Sequence, residues 1–154
     1  MCMHCDGWTD EEIRAKRRRD IETHGWSITY VEADEEEVAF AYTVGLTRYH
    51  GHPELLVSGL DQRRTTEVLN SFGAEVRRGS RFAPGDLVQG QDEKRFQFVS
   101  VEDRSELVDA QETYASEAGL VPALQIIYSD RNGHWPWECG GTLSQPLFGT
   151  PLQQ

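Results

Sequence analysis

The chain has 154 residues, with 15 lysines and arginines against 26 aspartates and glutamates, for a formal charge of −11. That balance argues against a protein that wraps nucleic acid, since such binding is driven by basic side chains displacing counterions from phosphates, and against an anionic membrane surface. Hydrophobic residues make up 38% and aromatic ones 10%, a lean share that still supplies one core without a disulfide or metal to hold it.

No apolar run approaches the roughly 18–20 residues of a spanning helix. The opening Met1-Cys2-Met3-His4-Cys5-Asp6 has neither the basic flank nor the apolar stretch of a signal peptide, so a cytosolic protein is expected. Three cysteines, an odd number, in a reducing compartment point to thiols or metal ligands rather than a disulfide framework.

In chain order, Thr9-Asp10-Glu11-Glu12 opens a helix: Thr9 can cap exposed N–H groups while Glu12 reaches back. The helix runs to about His24 and stops at Gly25. Its apolar members are few, and Arg14, Lys16, Arg17, Arg18 and Arg19 crowd its middle, so it lies on the surface. The basic run reads either as a solvated face or as a dock for an acidic partner, including the chain's own acidic segment. Residues 26–31 and 38–44 alternate like two strands of a hairpin, with Glu32, Asp34, Glu35, Glu36 and Glu37 at its tip.

A polar loop, residues 47–53, precedes a short buried strand at 54–58. Asp61 caps the next helix, whose Val68, Leu69, Phe72 and Val76 fall at helical spacing before Gly79. Short strands follow at 87–88 and 95–101, a third helix between Arg104 and Ala118, and a last strand at 122–128 ending in the turn Asp130-Arg131-Asn132-Gly133. Helices and strands interleave while two strand pairs look antiparallel. The expectation is a single α+β domain over residues 1–143, with about three helices on a mixed or antiparallel sheet that can close partly into a barrel. Pro146, Gly149 and Pro151 make residues 144–154 an extended tail.

Three patterns could carry chemistry. Two thiolates spaced as Cys2-x-x-Cys5 can converge on one ion, and zinc or iron needs two more ligands, for which Cys139 and His134 are the leading candidates. In His50-Gly51-His52-Pro53-Glu54, two imidazoles can point to one side of an extended loop while the glutamate orients a ring or acts as a base, which makes His50, His52 and Glu54 the catalytic candidates. In His134-Trp135-Pro136-Trp137, two indoles flanking a proline can build a wall for a flat ligand, or can simply cover one end of the sheet. Nucleotide-loop, dinucleotide, serine-hydrolase and zincin patterns do not occur, and none of the three patterns assigns a reaction.

Cys2-x-x-Cys5, His24-Gly25-Trp26, Phe40-Ala41-Tyr42-Thr43-Val44-Gly45-Leu46, Pro53-Glu54-Leu55 and Asp130-Arg131-Asn132-Gly133-His134-Trp135-Pro136-Trp137 together resemble a bacterial family, the domain of unknown function DUF4262. The resemblance spans nearly the whole chain and implies a soluble bacterial or phage protein; it implies no activity. More distantly, a strand ending in Thr-Val-Gly-Leu, a short loop with His52-Pro53, an apolar strand and a helix from Asp61 resemble the first half of split-barrel flavin reductases. That resemblance makes Thr43, Thr47 and Ser58 phosphate contacts, with Arg77, Arg78 and Arg81 to neutralise the charge.

The favoured reading is a small soluble metal-binding protein, with zinc foremost, held by Cys2, Cys5, Cys139 and His134. The alternatives are a non-catalytic module that holds a peptide or small molecule in an aromatic groove of Tyr42, Thr43, Trp135 and Trp137, and a split-barrel-like flavin protein.

Overall fold

The computed structural model describes residues 7–32, 39–90, 94–114, 119–130, 132–137 and 147–149. In chain order its elements are α1 (Asp10–His24), β1 (Ser27–Val31), β2 (Phe40–Val44), α2 (Leu46–His50), β3 (Glu54–Ser58), α3 (Gln62–Arg77), β4 (Leu87–Gln89), β5 (Arg95–Ser100), a 3-10 turn (Arg104–Glu106), α4 (Val108–Tyr114) and β6 (Ala123–Tyr128).

Among the described residues six strands form one mixed sheet in the order β1-β2-β3-β6-β5-β4. All neighbours are antiparallel except β3 and β6, which pair in parallel with Leu55 opposite Leu124. Among the described residues the sheet is open, with β1 and β4 at its ends, and the partly closed barrel does not form. The α+β expectation holds, and the residues expected as a polar loop wind into α2 for one turn of it.

Side chains alternate across the sheet and build two layers of core. Ala41, Leu55, Val57, Phe98, Leu124, Ile126 and Tyr128 face α3. Phe40, Tyr42, Val44, Leu56 and Ala123 face the opposite side, where Ile21 of α1 and Leu107 and Ala110 cover them. β2, β3 and β6 are buried at every position, which is why their sequences read as nearly unbroken apolar runs. Each fully buried Leu, Ile or Phe contributes roughly 1.5–3 kcal/mol.

Helix α3 buries Thr65, Leu69, Phe72, Gly73 and Val76, one stripe at helical spacing, and Asp61 caps it by accepting from the Arg64 N–H at 2.8 Å. Phe72 meets Phe82, Phe96 and Phe98 edge to face, and Phe82 stacks on Phe98 with centroids 4.4 Å apart.

Helix α1 begins with the expected capping box of Thr9 and Glu12 and ends at Gly25 in the left-handed region, φ 99°. It buries only Ile21. Its basic run does meet an acidic segment of the same chain, although that segment is α4: Arg14 lies 3.3 Å from Glu112 and Arg17 lies 2.8 Å from Asp109. The tip of the hairpin, residues 33–38, lies outside the described residues. From the expected tail, Phe148 packs on Phe40 with centroids 5.0 Å apart, its N–H donating to Gln125 Oε1 and its carbonyl accepting from the Glu102 N–H.

Candidate functional site

His50 and His52 lie between β2 and β3 and Glu54 begins β3, and the polar atoms of His52 and Glu54 serve the fold. Gly45 turns the chain with φ 123° into α2, leaving the first N–H groups of that helix without intrahelical partners. Glu54, wholly buried on β3, takes them: Leu46 N–H donates to Oε1 at 3.1 Å, and Thr47 and Gly45 N–H donate to Oε2 at 3.0 and 3.3 Å. The Thr43 hydroxyl donates to Oε1 at 2.9 Å and accepts the Leu55 N–H at the same distance. Burial pushes the Glu54 carboxyl above its usual value, and the donors from Thr47, Thr43 and Leu46 pull against that shift.

His52 is 1% exposed, with both ring nitrogens engaged: Nδ1 lies 2.8 Å from the Pro53 carbonyl, and Nε2 accepts the Phe82 N–H at 3.0 Å. These partners place the proton on Nδ1. Burial holds its pKa below the usual histidine value. His50 turns elsewhere, its sealed Nε2 facing the Cα of Gly25, and burial together with Arg77 and Arg81 lowers its pKa. The three side chains therefore point to Gly25, to Phe82 and to the start of α2.

The other expected site residues are dispersed as well. Thr43 and Ser58 are both buried; Ser58 accepts from Gln125 Nε2 and sits three residues beyond Leu55, about 10 Å along β3, farther than one phosphate spans. Arg78 pairs with Glu75, and Arg81 donates to the Ser80 carbonyl. Tyr42 lies in the α4-side core, its hydroxyl accepting the Asp109 N–H at 2.8 Å, and burial with the nearby Asp109 carboxylate drives its pKa well above the tyrosine range. Trp135, 9% exposed, belongs to a separate cluster with Val99 and Ile127. Trp137 stacks on it at 5.5 Å, and the Arg95 guanidinium lies 4.8 Å from its ring centre.

Cys2, Cys5 and Cys139 lie outside the described residues. Among the described residues no group of three His, Cys, Asp or Glu is arranged to hold a metal ion. His134 faces a carboxylate instead: buried Asp130 accepts the N–H groups of Asn132 and His134 on Oδ1, each at 2.9 Å, and places Oδ2 3.4 Å from His134 Nδ1.

A groove of about 710 Å³ opens elsewhere, along β1 between α1 and α3. It is larger than clefts of about 320 and 170 Å³ at α4 and at the start of α3. Its aromatic surface comes from Trp8, Trp26 and Tyr30, with Lys16, Asp20 and His24 on the α1 side. Trp26 Nε1 donates to Asn70 Oδ1 at 3.0 Å, the Tyr30 and Thr66 hydroxyls bond each other, and Arg77 donates to the His24 carbonyl while lying 5.6 Å over the Trp26 ring. Sequence reasoning missed this groove. Its trace is the i, i+4, i+8 series Lys16, Asp20, His24, matched by Gln62, Thr66, Asn70, Ala74, which marks one helix face each but not that both border the same strand.

The family model of a domain of unknown function, DUF4262, matches residues 20–142. The chain belongs to DUF4262. In this DUF4262 chain the matched span takes in all six strands and the groove residues from Asp20 to Arg77, while Trp8 and Lys16 precede it. No curated protein and no solved structure matches the chain. No helix among the described residues is long and apolar enough to cross a membrane.

Proposed function

We propose that this DUF4262 protein is a non-catalytic binding module whose ligand lies in the groove between α1, β1 and α3. The groove itself carries the reading: about 710 Å³, within the range of ligand sites, with aromatic walls and a few placed polar groups. His52 and Glu54 support it from the other side, since their polar atoms hold α2, β3 and the segment at Phe82 in place. Ligand-observed NMR with a fragment set and a set of blocked peptides tests the proposal. Compounds should bind the wild-type protein and lose binding in Asn70→Trp and Asp20→Trp, two variants that fill the groove and are checked for an unchanged melting temperature. Binding that survives both variants, or no binding from either set, overturns it.

A second reading, a transition-metal site, is favoured by one observation. His134 Nδ1 lies 3.4 Å from Asp130 Oδ2, within ion-pair reach though outside hydrogen-bond geometry, and a carboxylate on that side of the ring leaves Nε2 for an ion shared with the thiolates of Cys2, Cys5 and Cys139. Metal analysis of protein purified without a histidine tag decides it: less than about a tenth of an equivalent, unchanged by Cys2→Ser with Cys5→Ser, overturns the reading.

A further inference from the structure

Strand β1 is an end strand of the sheet, paired with β2 from Ser27 opposite Val44 to Val31 opposite Phe40. Among the described residues no backbone group outside β2 hydrogen-bonds to the backbone of Ser27–Val31. One side of this strand therefore presents a row of N–H and C=O groups, the usual template for another chain. Proteins blunt such edges with lysine, proline or very short strands. Ser-Ile-Thr-Tyr-Val carries neither a charge nor a proline, whereas the opposite end strand, β4, is only three residues long. Ser27, Ile28 and Tyr30 of this same strand line the groove, so the open edge is recessed between two helices.

We infer that the ligand is an extended peptide that adds to the sheet at β1 and carries an acidic side chain near Trp26. This inference rests on reading the groove as the binding site. Backbone pairing supplies affinity without regard to sequence, and the walls supply selectivity. Lys16 is closed by Asp20 at 2.6 Å, whereas Arg77 uses one guanidinium nitrogen on the His24 carbonyl and keeps other N–H groups for a carboxylate. A peptide carboxylate at that end meets Arg77 and His24, and an apolar residue farther along meets Ile28 and Tyr30. A second copy of the chain fits less well. It brings its own α1 and α3 against the same two helices and a charge of −11 against −11, whereas a single strand needs only about 4.8 Å beside β1.

The test uses N-acetyl, C-amide octapeptides of alternating Thr and Val with one Glu near either end, titrated into the full chain by tryptophan fluorescence and NMR. One Glu placement should bind. N-methylation at every second peptide amide should then weaken it about tenfold or more, while methylation of the intervening amides changes it less than about twofold, because only alternate amides face β1. Changing the peptide Glu to Gln should weaken binding about fivefold at low salt and little at high salt. If peptides bind in the groove but the N-methyl scan shows no period of two, or if only small fragments bind there, strand addition is overturned while the groove stands. If Asn70→Trp and Asp20→Trp abolish nothing, both fall. Sedimentation that finds a dimer which no peptide dissociates, and which Asn70→Trp or Asp20→Trp converts to monomer, assigns the edge to a second copy and overturns the peptide as occupant.

Discussion

Glu54 and Thr43 form a buried pair in which the hydroxyl donates to the carboxylate at 2.9 Å while accepting the Leu55 N–H, so one threonine links β2 to β3 and the carboxylate links β3 to α2. Both Glu54 oxygens face donors only. Glu54→Gln preserves the shape but puts an amide N–H₂ against two of those donors, which should cost roughly 1–3 kcal/mol in urea unfolding. Thr43→Val should cost about 1–2 kcal/mol, and the double variant should lose less than the sum, because the two residues share one network. Additive losses would show that the network is not coupled.

The histidines set the response to acid. His52 and His50 have folded pKa values below the usual 6.5, so between that value and the folded one the unfolded chain binds protons that the native chain does not. Stability is then full above about pH 6.5 and falls as the pH drops below it, by up to about 1.4 kcal/mol per pH unit for each histidine. Glu54 acts with the opposite sign: its raised pKa lets the native state hold a proton longer, so its contribution is lost as pH rises from the usual 4.5 toward the folded value. Urea midpoints from about pH 7.5 to about pH 5.5 should fall for the wild type and fall less steeply for His52→Gln. An equal slope in both would remove His52 from the acid response.

What the sequence made legible were features with local causes. The Thr9–Glu12 box, the stop at Gly25, the Asp61 cap and the stripe Leu69, Phe72, Val76 are each set by neighbours within a turn or two, and the structure has them all. The functional patterns depended on long-range placement instead. His50, His52 and Glu54 occupy five residues of sequence, yet α2 rotates the first away from the others, and β3 carries Glu54 under the helix start. The groove was hidden for the same reason. Helix faces 40 to 60 residues apart, such as Lys16 with Thr66, meet only because β1 lies at the end of the sheet between them.

Gly25 is required for two separable reasons. Its φ of 99° disfavours any side chain, and a Cβ there would lie 2.8 Å from His50 Nε2. Gly25→Ala should therefore destabilise by more than about 1 kcal/mol, the strain of a left-handed backbone alone. Adding His50→Ala should recover the part due to the clash and leave the backbone part. Full recovery would mean that the backbone conformation costs nothing; no recovery would mean that the ring simply swings aside.

Trp135 separates a binding surface from a core. Its indole is stacked between neighbours rather than offered to solvent: Trp137 lies parallel at 10°, Arg95 sits over its ring, and Val99 and Ile127 of the sheet pack beside it. Truncation to alanine removes a nearly sealed aromatic ring, for which roughly 3–5 kcal/mol is the usual loss. Trp135→Ala should accordingly lower the melting temperature sharply, while Trp137→Ala, on the more exposed ring, should cost less. Peptide binding at β1, measured well below the lowered melting temperature, should be unchanged in Trp135→Ala, because the indole clusters with β5 and β6 rather than with the groove residues. A Trp135→Ala protein that melts like the wild type but loses ligand would instead return the tryptophan pair to the binding surface.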